Sequence, residues 1–175
     1  TGKITALTGD RVDSYNPAWS PDGKWLYFLS DRYFRSVVGS PWGPRQPEPY
    51  FDKTTKIYAL DLTGKGMFPF TPANELLEPA KDTGAEKAGP GAEAARRSGQ
   101  QAAKPALVTI DLRGLEERVY EVPLPAGVYS DLSAGEKALF FIDRESRAAG
   151  RPRLKAAEIK NKGVEAKTLV DAVRG

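Results

Sequence analysis

Residues 16–32, Asn-Pro-Ala-Trp-Ser-Pro-Asp-Gly-Lys-Trp-Leu-Tyr-Phe-Leu-Ser-Asp-Arg, constrain the fold of this chain more than any other stretch. They read as a β-hairpin. Pro17–Ser20 forms a short strand and Lys24–Ser30 a longer, apolar one, with Ser20-Pro21-Asp22-Gly23 between them. Each residue of that connection suits a type I turn. Pro21 presets φ at the first central position, Asp22 tolerates the bridge region, and Gly23 accepts the left-handed conformation that follows. A calcium loop would need several oxygen ligands at close spacing, and none follows Asp22, so Asp22 and Gly23 read as turn residues.

The hairpin has a diverged second copy. Displaced by 113 positions, Ser20 falls on Ser133, Lys24 on Lys137 and Leu26 on Leu139, while Tyr27, Phe28 and Leu29 fall on Phe140, Phe141 and Ile142. The apolar run survives, the Pro and both Trp are lost, and the alignment predicts a turn of unchanged length. One four-stranded repeat unit takes about 40–50 residues, so a displacement of this size requires insertions. The first follows Asp31 and runs to about residue 53. The second, about residues 72–105, is rich in Ala, Gly, Glu, Lys and Pro. Its centre, Pro79–Pro105, has no large apolar side chain to offset the entropy of ordering, and is expected to be a disordered surface loop.

Composition removes several function classes. The chain has no Cys, hence neither disulfide nor thiolate metal site, and no His, the commonest general base and zinc ligand. No cofactor, metal or catalytic residue is therefore expected within it. No apolar run approaches the roughly 18 residues that span a bilayer. The net charge of +3 averages 26 basic against 23 acidic residues. Its basic surplus lies between Arg144 and Lys162, which reads as solvated surface without a nucleic-acid-binding motif. Neither a nucleic-acid nor a membrane partner is expected. A chain that opens on Thr1 without Met and closes at Asp171–Gly175 inside an apparent element is expected to be part of a longer one.

Period-2 patterns and short apolar runs supply the remaining strands. Ile4–Thr8 reads as the outer strand of a preceding unit, giving 1–10 as its tail. Lys56–Leu62 is a third strand, and Val108–Leu112 with Arg118–Leu124 reads as a further hairpin turning at Arg113-Gly114. These complete a first unit over 11–125, with its inserted loop at 32–53. Val128–Leu132, Ala138–Asp143, Leu154–Lys160 and Ala166–Val170 form a second unit over 126–175. Helix is confined to a turn near Asn74–Glu78 and a patch at Glu93–Arg97.

The Trp-Ser-Pro-Asp-Gly hairpin resembles the repeat of TolB-type and tricorn-type β-propellers, and with it the chain reads as all-β: about two four-stranded antiparallel blades plus the outer strand of a preceding blade. The insertion narrows the resemblance. Asp31-Arg32-Tyr33-Phe34-Arg35-Ser36 leads into Gly39-Ser40-Pro41-Trp42-Gly43-Pro44-Arg45-Gln46-Pro47-Glu48-Pro49-Tyr50-Phe51-Asp52. It is followed by a Pro-Phe-Thr-Pro step at 69–72, then by Ile110-Asp111-Leu112-Arg113-Gly114-Leu115 and Glu121-Val122-Pro123-Leu124-Pro125-Ala126-Gly127. This order resembles the propeller region of bacterial tricorn-like serine proteases over most of the chain.

The resemblance implies a propeller that guides or filters peptides for a serine-peptidase core carried elsewhere in the parent, with no catalytic residue here. It also implies the rest of the ring and C-terminal PDZ and protease domains as partners, peptide substrates, and homo-oligomers. The archaeal relatives suggest a cytoplasmic setting, and bacterial ones a periplasmic or secreted one. A TolB-like propeller that docks another protein, and the propeller lid of a prolyl-oligopeptidase-type enzyme, stay open as alternatives.

Candidate substrate or interface residues are Arg32, Arg35, Trp42, Arg45 and Tyr50. The segment 36–52 carries Pro41, Pro44, Pro47 and Pro49, which restrict the backbone so that a long loop can hold one shape. In one reading Trp42 packs on a peptide and Arg45 pairs with a carboxylate; in the other the loop seals against a neighbouring domain or subunit. Asp31 and Arg32 are read as bonding within the blade or lining the channel. Trp19 and Trp25 read as packing between blades.

Overall fold

The computed structural model describes residues 2, 4–9, 11–36, 51–71, 110–147 and 150–173. Among these residues, eight strands form two antiparallel sheets. The first has the order β1 (Ser14–Trp19), β2 (Trp25–Ser30), β3 (Lys56–Asp61), β4 (Val119–Glu121); the second, β5 (Val128–Ala134), β6 (Ala138–Arg144), β7 (Arg153–Glu158), β8 (Ala166–Val170). Each sheet is a meander of four sequential strands, as a propeller blade requires.

The turn after β1 forms as its residues dictate. Gly23 has φ 70° and its N–H donates to the Ser20 carbonyl at 2.9 Å. Asp22 accepts from the Ser20 hydroxyl at 2.6 Å and from the Lys24 N–H at 3.1 Å, and Ser20 Oγ accepts the Trp25 N–H at 2.9 Å.

The internal repeat is visible in the registers. In both blades the first strand bulges, between Tyr15 and Ala18 and between Ser130 and Ser133. A non-glycine residue takes positive φ at each bulge: Asn16 (49°) and Asp131 (52°). Both types tolerate the left-handed region better than most. The turn length does not repeat, however. Residues 20–24 join the first pair of strands and 135–137 the second, because losing Pro21 and Gly23 leaves a tighter connection closed by the Gly135 N–H on the Ala138 carbonyl at 2.8 Å.

Alternation in the central strands divides the core in two. Trp25, Tyr27 and Leu29 of β2, with Ile57 and Ala59 of β3, face the second sheet and meet Tyr129, Leu132, Leu139, Phe141 and Ala157. Leu26, Phe28, Tyr58 and Leu60 point the other way and pack with Leu62 and Leu115, with Leu7 against them. The second sheet leaves its opposite face less covered: Phe140 and Ile142 are half-buried, and Val170, in register with Leu154 and Ile142, is exposed.

Three expectations change. Ile4–Thr8 forms no strand, since no ladder partner runs beside it among the described residues, although Leu7 packs on the sheet face that the expected preceding unit would cover. The hairpin expected from 108–124 does not form among the described residues, 110–124. Ile110–Leu112 is not a strand, Leu115–Arg118 is a single 3-10 turn, and β4 pairs with β3 instead (Tyr58 opposite Glu121, Leu60 opposite Val119). Trp25 is core, but Trp19 lies opposite Leu26 on the face turned from the second sheet and is 52% exposed. The loop at 72–105 and both expected helical patches lie outside the described residues.

Gly127 begins the second blade where backbone and ring nearly touch. A Cβ there would sit 2.3 Å from Tyr129 Cε1, on a ring pinned by its hydroxyl's bond to the Pro125 carbonyl (2.7 Å) and by Phe141 at 4.8 Å between centroids. Gly127→Ala is expected to cost about 1–3 kcal/mol, as overpacking does, read as a fall in the thermal midpoint. An unchanged midpoint would mean the ring yields freely.

Candidate functional site

The inserted segment leaves the first blade at Asp31 and rejoins it at Thr55, and its two stems meet at one end of the sheets. The Tyr33 N–H donates to the Thr54 carbonyl at 3.2 Å, and Thr55 and Gly127 exchange backbone bonds at 3.1 and 2.9 Å. Among the described residues, Tyr33, Arg35, Ser36, Asp52, Lys53, Lys56, Pro125 and Ala126 line a cavity of about 590 Å³ there.

The cavity is cationic. Lys56 is neutralised by Glu121 and its ammonium lies 4.8 Å from the Tyr33 ring centroid. Asp52 also lines the cavity, and its Oδ1 is taken up by the Ser146 hydroxyl at 3.0 Å and the Arg147 N–H at 2.8 Å. Arg35 and Lys53 have no carboxylate within salt-bridge distance among the described residues. Two uncommitted cations beside an aromatic ring can receive a carboxylate or another anion.

Of the expected site residues, the structure brings Arg35 into this cavity. Arg32 goes elsewhere. Its Nε donates to Ser30 Oγ at 3.0 Å and its guanidinium stacks over Tyr58 (5.0 Å) and Phe28 (5.8 Å), on the face turned from the second sheet. Trp42, Arg45 and Tyr50 lie outside the described residues.

Beside the cavity, Asp31 anchors a polar cluster. Its Oδ1 accepts from the Thr55 hydroxyl at 2.6 Å and the Tyr15 hydroxyl at 3.1 Å, and its Oδ2 accepts from Arg147 Nη2 at 3.0 Å. Burial alone would raise the carboxyl pKa, but the bonds from Thr55, Arg147 and Tyr15 outweigh it and hold the group below the usual carboxylate range. Sequence reasoning missed Lys53, Lys56 and Arg147. Arg147 sits in the Arg144–Lys162 stretch that reads as solvated surface, and no local spacing reveals partners some ninety residues away.

Two meandering four-stranded sheets packed face to face, with their connections gathered at the ends, define a segment of β-propeller. No protein-family model matches the chain, and no curated protein does. Among solved structures, the crystal structure of the tricorn protease is similar in fold: TM-score 0.57 and 19% sequence identity over 97% of this chain. The chain spans 14% of the length of that protein. Among the described residues no helix is long and apolar enough to cross a membrane.

Proposed function

We propose that this chain is two consecutive blades of a propeller in a larger serine-type peptidase of the tricorn kind, and that its stem-loop end forms a rim that receives and orients oligopeptides. The observation that carries the reading is the fold match, which covers nearly all of this chain and a seventh of the tricorn protease. The lack of His supports a role beside the catalytic apparatus, since the chain offers no imidazole to activate a nucleophile. The cationic cavity supports the peptide reading, with Arg35 and Lys53 available to peptide carboxylates. The half-buried Phe140 and Ile142 and the exposed Val170 suit a further blade as the neighbour on that side.

The test is cleavage of fluorogenic oligopeptides by the full-length protein and by this segment in parallel. Cleavage by the former alone is expected. Inactivity of the full-length protein, with capture of a protein partner instead, replaces the peptidase reading with a docking module. Within an active protein, Arg35→Ala is expected to raise KM for acidic peptides about three- to five-fold with kcat unchanged, the size of a partly exposed charge contact. An unchanged KM removes Arg35 from the peptide path.

A further inference from the structure

We infer that Arg147, in the β6–β7 connection of the second blade, is the positioning residue of the rim: one side chain through which that blade sets where both stems of the first blade's insertion stand. The inference rests on the proposed reading of that end as the working rim. The stems have local ties of their own, the Tyr33 to Thr54 backbone bond and the Arg32 stack. The first joins the two stems to each other, and the second holds the entry stem to the first blade. Arg147 bridges the two from outside.

Its Nη2 donates to Asp31 Oδ2 on the entry stem at 3.0 Å and to Thr54 Oγ1 on the exit stem at 2.6 Å. Its Nε donates to the Asp52 carbonyl at 3.2 Å, and its backbone N–H to Asp52 Oδ1 at 2.8 Å. The neighbouring Ser146 hydroxyl adds a bond to the same Asp52 oxygen. A planar guanidinium can donate in several fixed directions at once, which a lysine ammonium on a flexible stem does not reproduce. The accepting carboxylate is itself oriented, since Tyr15 and Thr55 hold Oδ1 and leave Oδ2 for Arg147. Asp52 and its neighbour Lys53 line the cavity, so the bridge fixes the cavity wall directly.

A positioning role differs from ordinary stabilisation in where the effect of losing Arg147 falls. The experiment compares Arg147→Gln, Arg147→Lys and a control, Lys155→Gln, in the full-length protein. The control removes the 2.6 Å pair with Asp143 inside the second blade. Amide hydrogen exchange is read at Tyr33 and Thr55 against Ile57 and Leu139. With Arg147→Gln, exchange at Tyr33 and Thr55 is expected to quicken about ten-fold or more while the two core amides hold their rates, as local opening predicts. Arg147→Lys is expected to restore less than half of that protection, and the control to leave Tyr33 unchanged. In a protein that cleaves peptides, Arg147→Gln also raises KM and leaves kcat.

An unchanged Tyr33, a rise spread equally over all four amides, or an unaltered KM in an active protein overturns the inference. If the full-length protein cleaves no peptide, the peptidase reading fails and the exchange pattern alone decides the role of Arg147.

Discussion

Replacing Phe141 with Ala is expected to remove about 3–5 kcal/mol of stability, the range for emptying a fully buried aromatic site. Phe141 has no exposed surface and sits on β6 where the two blades meet, with its ring edge-on to Tyr129. Tyr27 and Leu29 face it from the other sheet and are equally inaccessible, so the site cannot collapse without parting the blades. A domain is stable by only about 5–15 kcal/mol, so this one change takes a large share of the total. Denaturant unfolding of this 175-residue chain reads the loss. The adjacent Phe140, on the opposite face and half-buried, serves as the comparison and is expected to cost less than about 1.5 kcal/mol. Equal costs at 140 and 141 would contradict the packing of the two sheets through β6.

The second large effect belongs to Asp61. This carboxylate ends β3 almost fully buried and organises the turn that follows. Oδ1 accepts the Thr63 N–H and hydroxyl, both at 2.8 Å, and the Gly64 N–H at 3.2 Å; Oδ2 accepts the Gly66 N–H at 3.0 Å. Asp61→Ala strands several backbone donors and is expected to cost about 2–4 kcal/mol. Gly64, at φ 70°, and Gly66, whose added Cβ would meet Trp25 at 3.0 Å, leave the turn little room to rearrange.

The same residue gives an acid limb. Burial would raise its pKa, yet the bonds from Thr63, Gly66 and Gly64 prevail and the folded-state value lies below the ordinary 3.8. A carboxyl depressed on folding contributes stability that is full above its unfolded pKa and lost as pH falls through the folded one. Asp31 titrates in the same direction. Stability is therefore expected to be flat from neutrality to about pH 5 and to fall below about pH 4. Asp61→Asn, with the charge gone, is expected to show a shallower acid limb. An identical limb in the variant would assign acid unfolding to other groups.

What was legible in the sequence follows the range of the interactions involved. Ser20-Pro21-Asp22-Gly23 specifies its turn through bonds spanning a few residues, so reading the chain locally suffices. Ala166–Val170 appears as a strand with the boundaries its pattern predicts, and Val128, Ala138 and Lys56 open their strands as expected. The Val108–Leu112 reading failed because alternation marks a segment fit to pair and does not name its partner. Here Asp111 N–H reaches the Leu62 carbonyl, while β4 takes the edge of β3. At Trp19 a bulge between Tyr15 and Ala18 resets which side chains face the second sheet, and turns the ring to the face a preceding blade would cover. At the site, Arg35 was legible as a basic residue on an inserted loop. The bridge from Arg147 to Asp31 was not, because 116 positions separate the partners and only the packing of one blade on the next brings them together.

The central claim is that these two sheets are blades of a ring that continues past the second one. Residue-resolved hydroxyl-radical footprinting of the full-length protein tests it most directly. Phe140 and Val170 are expected to be as protected there as Phe141, because another blade covers them. Oxidation of Phe140 well above Phe141, and of Val170 as freely as the roughly half-exposed side chain it is in this chain (48%), would contradict it.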